Sequence, residues 1–283
     1  MKKILITGNS HIGALRSGLG QFFAINPHCA NNYNFVFAGT KGAFDLVIEN
    51  GNLTVSELSE RYHEFLVTTE GKKTLKLNQF SLIFLVGGRS PLDIRQYLNK
   101  NPQPVSRAVI ASIVKTIMSH TFERDPFRAH EHVFGKIVDS YSGKCFWIPN
   151  PCEPERLNFQ YRDDPKSVFN DFRNVRGTKN AGFYLPLLES NCQQDADTLL
   201  SISRIIKEKA IEISLSYGVS GIIFPPGETL KNPFATRNEY SVGSRHFANG
   251  NKQPDIDTHM NSSYGCAVWT LIYETLKSNL LVS

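Results

Sequence analysis

Lys2-Lys3-Ile4-Leu5-Ile6-Thr7-Gly8-Asn9-Ser10-His11 follows Met1, and its middle decides the fold. Ile4 to Ile6 is a short apolar run that stops at Gly8, the pattern of a strand buried on both faces of a parallel sheet. The run is too short for a signal peptide despite its basic start. Beyond it, Ile12, Leu15, Leu19 and Phe22 share one face of a helix that Pro27 closes. The same strand signature returns at Phe35–Phe37, ending at Gly39, and at Ser81–Val86, ending at Gly87-Gly88. It returns again at Cys145–Ile148, stopped by Pro149-Asn150-Pro151, and at Gly221–Phe224, stopped by Pro225-Pro226.

Helical patterns lie between these strands, at 105–120, 127–141 and 195–217, and a last one spans 262–280. Strands alternating with helices predict an α/β fold: a flavodoxin-like three-layer α/β/α sandwich around a central five-stranded parallel sheet. Right-handed crossovers restrict its topology further. One domain spans 1–283, with a hairpin-like insertion at about 45–77, where Asn50-Gly51 supplies the turn. Polar loop insertions are expected at about 151–191 and 225–255.

The chain is 41% hydrophobic and 20% charged, with a formal net charge of +5. The charge is spread, without a basic run or an aromatic-basic repeat, so nucleic acid is not an expected partner. A mildly basic surface suits anionic substrates such as acidic glycans, nucleotide sugars or coenzyme A thioesters. No apolar stretch is long enough for membrane insertion. Five scattered cysteines with no CxxC spacing argue against a disulfide framework and a zinc site, and for a cytoplasmic location. His130 and His132 flank Glu131, but residues two apart on a helix point to different faces, so no metal is expected there.

In an open parallel sheet the site lies at the carboxyl ends of the strands, which directs attention to the residues just after each one. After the first strand, Ser10 stands in a tight turn at a helix start, where backbone N–H groups stabilise developing negative charge. A plain helix cap is the alternative role for Ser10. Before the last helix comes Asp255-Ile256-Asp257-Thr258-His259-Met260-Asn261. There His259 can take a proton from a hydroxyl while a nearby carboxylate fixes its tautomer. A helix-capping Asn261 within a polar loop is the plainer account of that block. The two blocks are far apart in sequence, yet strand ends can bring them to one rim.

Together these blocks resemble the SGNH (GDSL-like) hydrolase superfamily, named for four residues in four blocks. Gly8-Asn9-Ser10-His11 looks like the first block, with Asn9 where aspartate is usual. Gly39 looks like the second, and Gly87-Gly88-Arg89 stands where the third, GxN, is expected. Asp255 to Gly265 is similar to the last, with Ile256 at the position usual for the carboxylate. The resemblance implies a serine-dependent acyl-ester hydrolase or O-acyltransferase, acting on an acylated carbohydrate or a related small ester. It implies Ser10 as nucleophile, His259 as base and Asp257 as its orienting acid, with Asp255 as the alternative. The oxyanion donors it implies are the N–H groups of Ser10 and Gly39, with a third from Gly88 or Arg89. Asn9, His11, Arg237 and Tyr240 are candidate substrate-binding residues. No cofactor is required, and acyl-CoA is a candidate acyl donor. Oligomeric state is left open.

Two other functions remain as alternatives. Arg89 and the altered histidine block suit a binding protein that keeps the fold without turnover. The start ILITGxxxxG also resembles a short-chain NAD(P)-dependent reductase, but His11 stands at the middle glycine position. The Tyr-x-x-x-Lys pair such enzymes use occurs only as Tyr273–Lys277, on the last helix.

Overall fold

The computed structural model describes residues 1–43, 45–88, 90–92, 133–154, 196–253 and 259–280. Five parallel strands form the central sheet in the order β2-β1-β6-β7-β8. They are β1 (Lys2–Gly8), β2 (Tyr33–Gly39), β6 (Leu82–Val86), β7 (Lys144–Ile148) and β8 (Gly221–Ile222). The intervening β3 (Leu46–Glu49), β4 (Asn52–Val55) and β5 (Thr74–Lys76) form a separate antiparallel sheet, and β9 (Leu230–Asn232) pairs with β10 (Ala235–Thr236). The helices are α1 (Ile12–Ile25), α2 (Pro27–Ala30), α3 (Tyr62–Thr68), α4 (Phe134–Ser140), α5 (Ala196–Ser216) and α6 (Ser262–Leu280). All five predicted central strands are present, and the parallel sandwich stands.

The layers follow from the two-residue period of the strands. Ile4, Ile6, Phe37, Leu82, Phe84, Val86, Phe146 and Ile148 point to one face. There they meet Leu15 and Phe22 of α1 and Val268, Trp269 and Ile272 of α6. Leu5, Ala38, Ile83, Leu85, Cys145 and Trp147 point to the other, against Phe134 of α4, Ile206 of α5 and Phe65 of α3. Each face buries one tryptophan completely, with a backbone partner for its indole N–H. Trp147 Nε1 donates to the Gly87 carbonyl at 2.7 Å, and Trp269 Nε1 to the Leu15 carbonyl at 2.7 Å. Removing that much buried area typically costs about 3–5 kcal/mol per tryptophan.

The region expected as a hairpin is more than that. Asn50 and Gly51 both take positive φ, 51° and 73°, which fits the turn joining β3 to β4. A third strand, β5, and helix α3 complete the unit, and Leu46, Leu53, Val55 and Leu75 join the core on one face of the main sheet. The 225–255 region also holds structure, namely the β9–β10 pair and short 3₁₀ turns at Gly227–Thr229 and Asn238–Tyr240. The helix expected at 195–217 is present as α5, and that at 262–280 as α6. Of the helix expected at 127–141, α4 covers 134–140. The helix expected at 105–120, the metal-spaced pair His130 and His132, and most of the 151–191 insertion lie outside the described residues.

Cys29, Cys145, Cys152 and Cys266 are free thiols. Among the described residues no helix is long and apolar enough to cross a membrane. Nor does any group of three or more His, Cys, Asp or Glu among them gather as metal ligands would.

Candidate active site

The parallel register lines up the strand ends. Gly8 pairs with Gly39 on one side and Val86 on the other, and Val86 pairs with Ile148. The residues just past these ends continue the ladder. Thr40 N donates to Gly8 O, Asn9 N to Val86 O, Gly87 N to Ile148 O and Asn150 N to Gly88 O. The carboxyl rim is therefore one hydrogen-bonded line from Thr40 to Asn150. Gly8 is required there, because a β-carbon would stand 1.7 Å from the Val86 carbonyl oxygen.

On this rim Ser10 Oγ lies 2.7 Å from His259 Nε2, across 249 residues of sequence. Both are half-buried. Helix α1 starts two residues after Ser10, and α6 starts three residues after His259. The two helices pack on the same face of the sheet, so their starts bring the hydroxyl and the imidazole together. Asn261 fixes the approach of the second. Its Oδ1 accepts from the N–H groups of Ser263 and Tyr264, capping α6, and its Nδ2 donates to the carbonyls of Glu239 and Val242. The capping role and the placement of His259 are thus one device.

The imidazole of His11 stacks on that of His259, with centroids 4.9 Å apart and planes 20° apart. His11 thus stands beside the dyad, while its backbone N–H donates to Asn9 Oδ1 at 3.0 Å. Asn9, expected to contact substrate, is instead turned inward: it is 7% exposed, and its Nδ2 donates to Asn150 Oδ1 at 3.0 Å.

The candidate oxyanion donors divide. The N–H groups of Ser10 and Gly88 have no acceptor among the described residues. The Gly39 N–H is redirected, donating to Thr68 Oγ1 at 3.1 Å because α3 sets that hydroxyl beside the end of β2. Arg89, Asp255 and Asp257 lie outside the described residues. Arg237 is exposed and its Nε donates to the Leu230 carbonyl, which ties it to the β9 strand. Tyr240 packs edge-on against Tyr264 at 6.5 Å, and its carbonyl accepts from Asn261 N. Tyr240 thus braces the segment that carries the histidine block, while Arg237 braces the turn around β9 and β10.

Two groups outside the predicted site residues, His246 and Asn150, also bear on the dyad. His246 is held below the usual histidine value, first by burial. Glu64 opposes that shift, while His259, Lys41 and Arg61 add to it. Glu64 itself accepts from Lys41 N at 2.8 Å and pairs with Arg61 at 3.1 Å. No sequence pattern marks His246. Asn150 could have been found, since it follows a strand directly and sits between two prolines.

The reductase pair sits elsewhere. Tyr273 lies against His28 and Tyr33, at the amino edge where β2 begins, and Lys277 Nζ stands 4.9 Å from the Tyr273 ring centroid. Ser10 is on the opposite rim. That separation removes the geometry a dinucleotide reductase needs.

No protein-family model and no curated protein matches the sequence. Among solved structures, the chain is similar to a carbohydrate acetylesterase family member from Sinorhizobium meliloti. The match has 10% identity, covers 99% of each chain and has a TM-score of 0.36. At that level the likeness assigns no activity.

Proposed function

We propose that this chain is a serine-dependent acyl-ester hydrolase or O-acyltransferase, with an acylated carbohydrate or related small ester as substrate. The observation that carries the proposal is the 2.7 Å contact between Ser10 Oγ and His259 Nε2 on the carboxyl rim of a parallel sheet. For Nε2 to accept the serine proton, the neutral ring must carry its proton on Nδ1. Asp257, or Asp255 in its place, holds that tautomer. Ser10 Oγ then bonds to the acyl carbon as its proton passes to Nε2. The tetrahedral oxyanion faces the N–H groups of Ser10 and Gly88. Collapse expels the leaving alkoxide or thiolate, which takes the proton back from His259. The acyl-enzyme passes its acyl group to water or to a sugar hydroxyl. With acyl-CoA as donor, the coenzyme A thiol is the leaving group. Nothing in this sequence of steps requires a cofactor.

A binding protein without turnover is the second reading, favoured by the engaged Gly39 N–H. One experiment separates the two. The purified protein is assayed with p-nitrophenyl acetate and with acetylated sugars, with and without acetyl-CoA, and probed with a fluorophosphonate. Turnover and labelling that disappear in Ser10→Ala are expected. Wild-type protein that neither turns over nor labels would leave the binding reading standing.

A further inference from the structure

The Gly39 N–H is taken up by Thr68 Oγ1, and the carboxamides of Asn9 and Asn150 point to another donor in its place. The His11 N–H can only donate, so the Asn9 atom facing it at 3.0 Å is the oxygen. That fixes the other end of the Asn9 carboxamide as the NH₂ group, which faces Asn150 at 3.0 Å. The Asn150 atom there must accept, so it is Oδ1. The orientation of both amides thus follows from one backbone N–H. It leaves the Asn150 NH₂ group on the rim with no acceptor among the described residues. Asn150 is half-buried and its backbone is tied to Gly88 O at 3.2 Å. Gly87 lets this happen: a β-carbon there would stand 2.6 Å from Asn9 Nδ2, so only glycine admits the Asn9 carboxamide toward Asn150.

We propose that the Asn150 Nδ2 group is a side-chain donor to the oxyanion, supplied from the end of β7 in place of the engaged Gly39 N–H at the end of β2. The inference rests on the acyl-transfer reading of Ser10. It also explains why residue 9 is an asparagine. A carboxylate at that position would accept rather than donate, and the Asn150 amide would turn over to donate to it. Its NH₂ group would then be engaged away from the substrate. Asn9 and Asn150 are therefore a matched pair, and the donor exists only while both are amides.

The test is steady-state kinetics on p-nitrophenyl acetate with wild type, Ser10→Ala, Asn150→Asp and Asn9→Asp, each checked by thermal melting. Asn150→Asp keeps the acceptor that Asn9 needs and removes the donor. We expect kcat to fall about 10²–10³-fold with KM within a few-fold, as for loss of one oxyanion donor. Asn9→Asp, which leaves Asn150 in place, is expected to lower kcat in the same way. Either variant with kcat within threefold of wild type overturns the assignment. So does a fall in activity matched by a fall in melting temperature without the kcat-against-KM split. If wild type shows no turnover that Ser10→Ala removes, the acyl-transfer reading fails and takes this one with it. Wild-type activity with unaffected Asn150→Asp sinks the donor assignment alone.

Discussion

A β-carbon built on Gly265 would stand 1.8 Å from the carbonyl oxygen of Ala14. Gly18 meets the same helix, with its β-carbon position 2.4 Å from Cys266 N. Glycines in both partners let α1 and α6 cross backbone to backbone, and that crossing sets the separation of Ser10 from His259. Gly265→Ala must push the helices apart, since the obstructing atom is main chain. We expect a loss of about 1–3 kcal/mol, in the range of overpacked cores. The same variant should lose kcat beyond what its stability explains, because the dyad at the helix starts opens. Thermal melts and p-nitrophenyl acetate turnover check it; wild-type values for both would show that the crossing is not what spaces the dyad.

Asn261 separates capping from stapling. Its Oδ1 caps α6, while its Nδ2 holds the Glu239 and Val242 carbonyls. Asn261→Asp keeps the cap and loses both donations. Its kcat should fall, because the new carboxylate oxygen faces the Glu239 and Val242 carbonyls, repels them and frees the segment carrying His259. Asn261→Ala should lose both, at about 0.5–2 kcal/mol for the cap. Equal kinetics for the two variants and wild type would show that His259 is positioned by something else.

The rim is also supported from below. Trp147 Nε1 donates to the Gly87 carbonyl, on the strand end that carries Gly88. Trp147→Phe keeps most of the buried ring but leaves a buried carbonyl without its donor. A cost of about 1–3 kcal/mol is expected from the lost partner, with a further part from the smaller ring. A urea titration reads it, and a variant as stable as wild type would place that carbonyl in contact with another donor.

The strands were legible because a buried parallel strand is apolar without alternation and ends at glycine or proline, as at Ile4–Gly8 and Cys145–Pro149. Ser10 and His259 were legible because strand order puts their blocks on one rim. Asn150 was legible as the residue just past a strand, but its role was not, since that comes from an amide orientation that depends on the His11 backbone. Thr68 was equally hidden: its hold on the Gly39 N–H arises from the packing of α3 beside β2, and a lone threonine on a short helix carries no sign of that. The hairpin at 45–77 was recognised from Asn50-Gly51, but its part in the core was not. Leu46, Leu53 and Leu75 become buried only through a third strand whose three residues, Thr74–Lys76, are too few to show a period.

His246 gives the pH dependence. Its native value lies below the ordinary histidine value of about 6.5, chiefly through burial, with His259, Lys41 and Arg61 also disfavouring its charge and Glu64 opposing them. The unfolded chain therefore binds a proton at higher pH than the native one does. Between the two values the unfolded state holds more protons, so stability rises with pH across that window. The contribution is full above about 6.5, begins to disappear as the pH falls through that value, and is gone below the depressed native one. His246→Gln cannot take up the proton, so its urea midpoint should change less between pH 7.5 and pH 5 than that of wild type. Parallel slopes for the two proteins would mean that the unfolded and native states titrate this imidazole alike, and that burial beside His259 does not depress it.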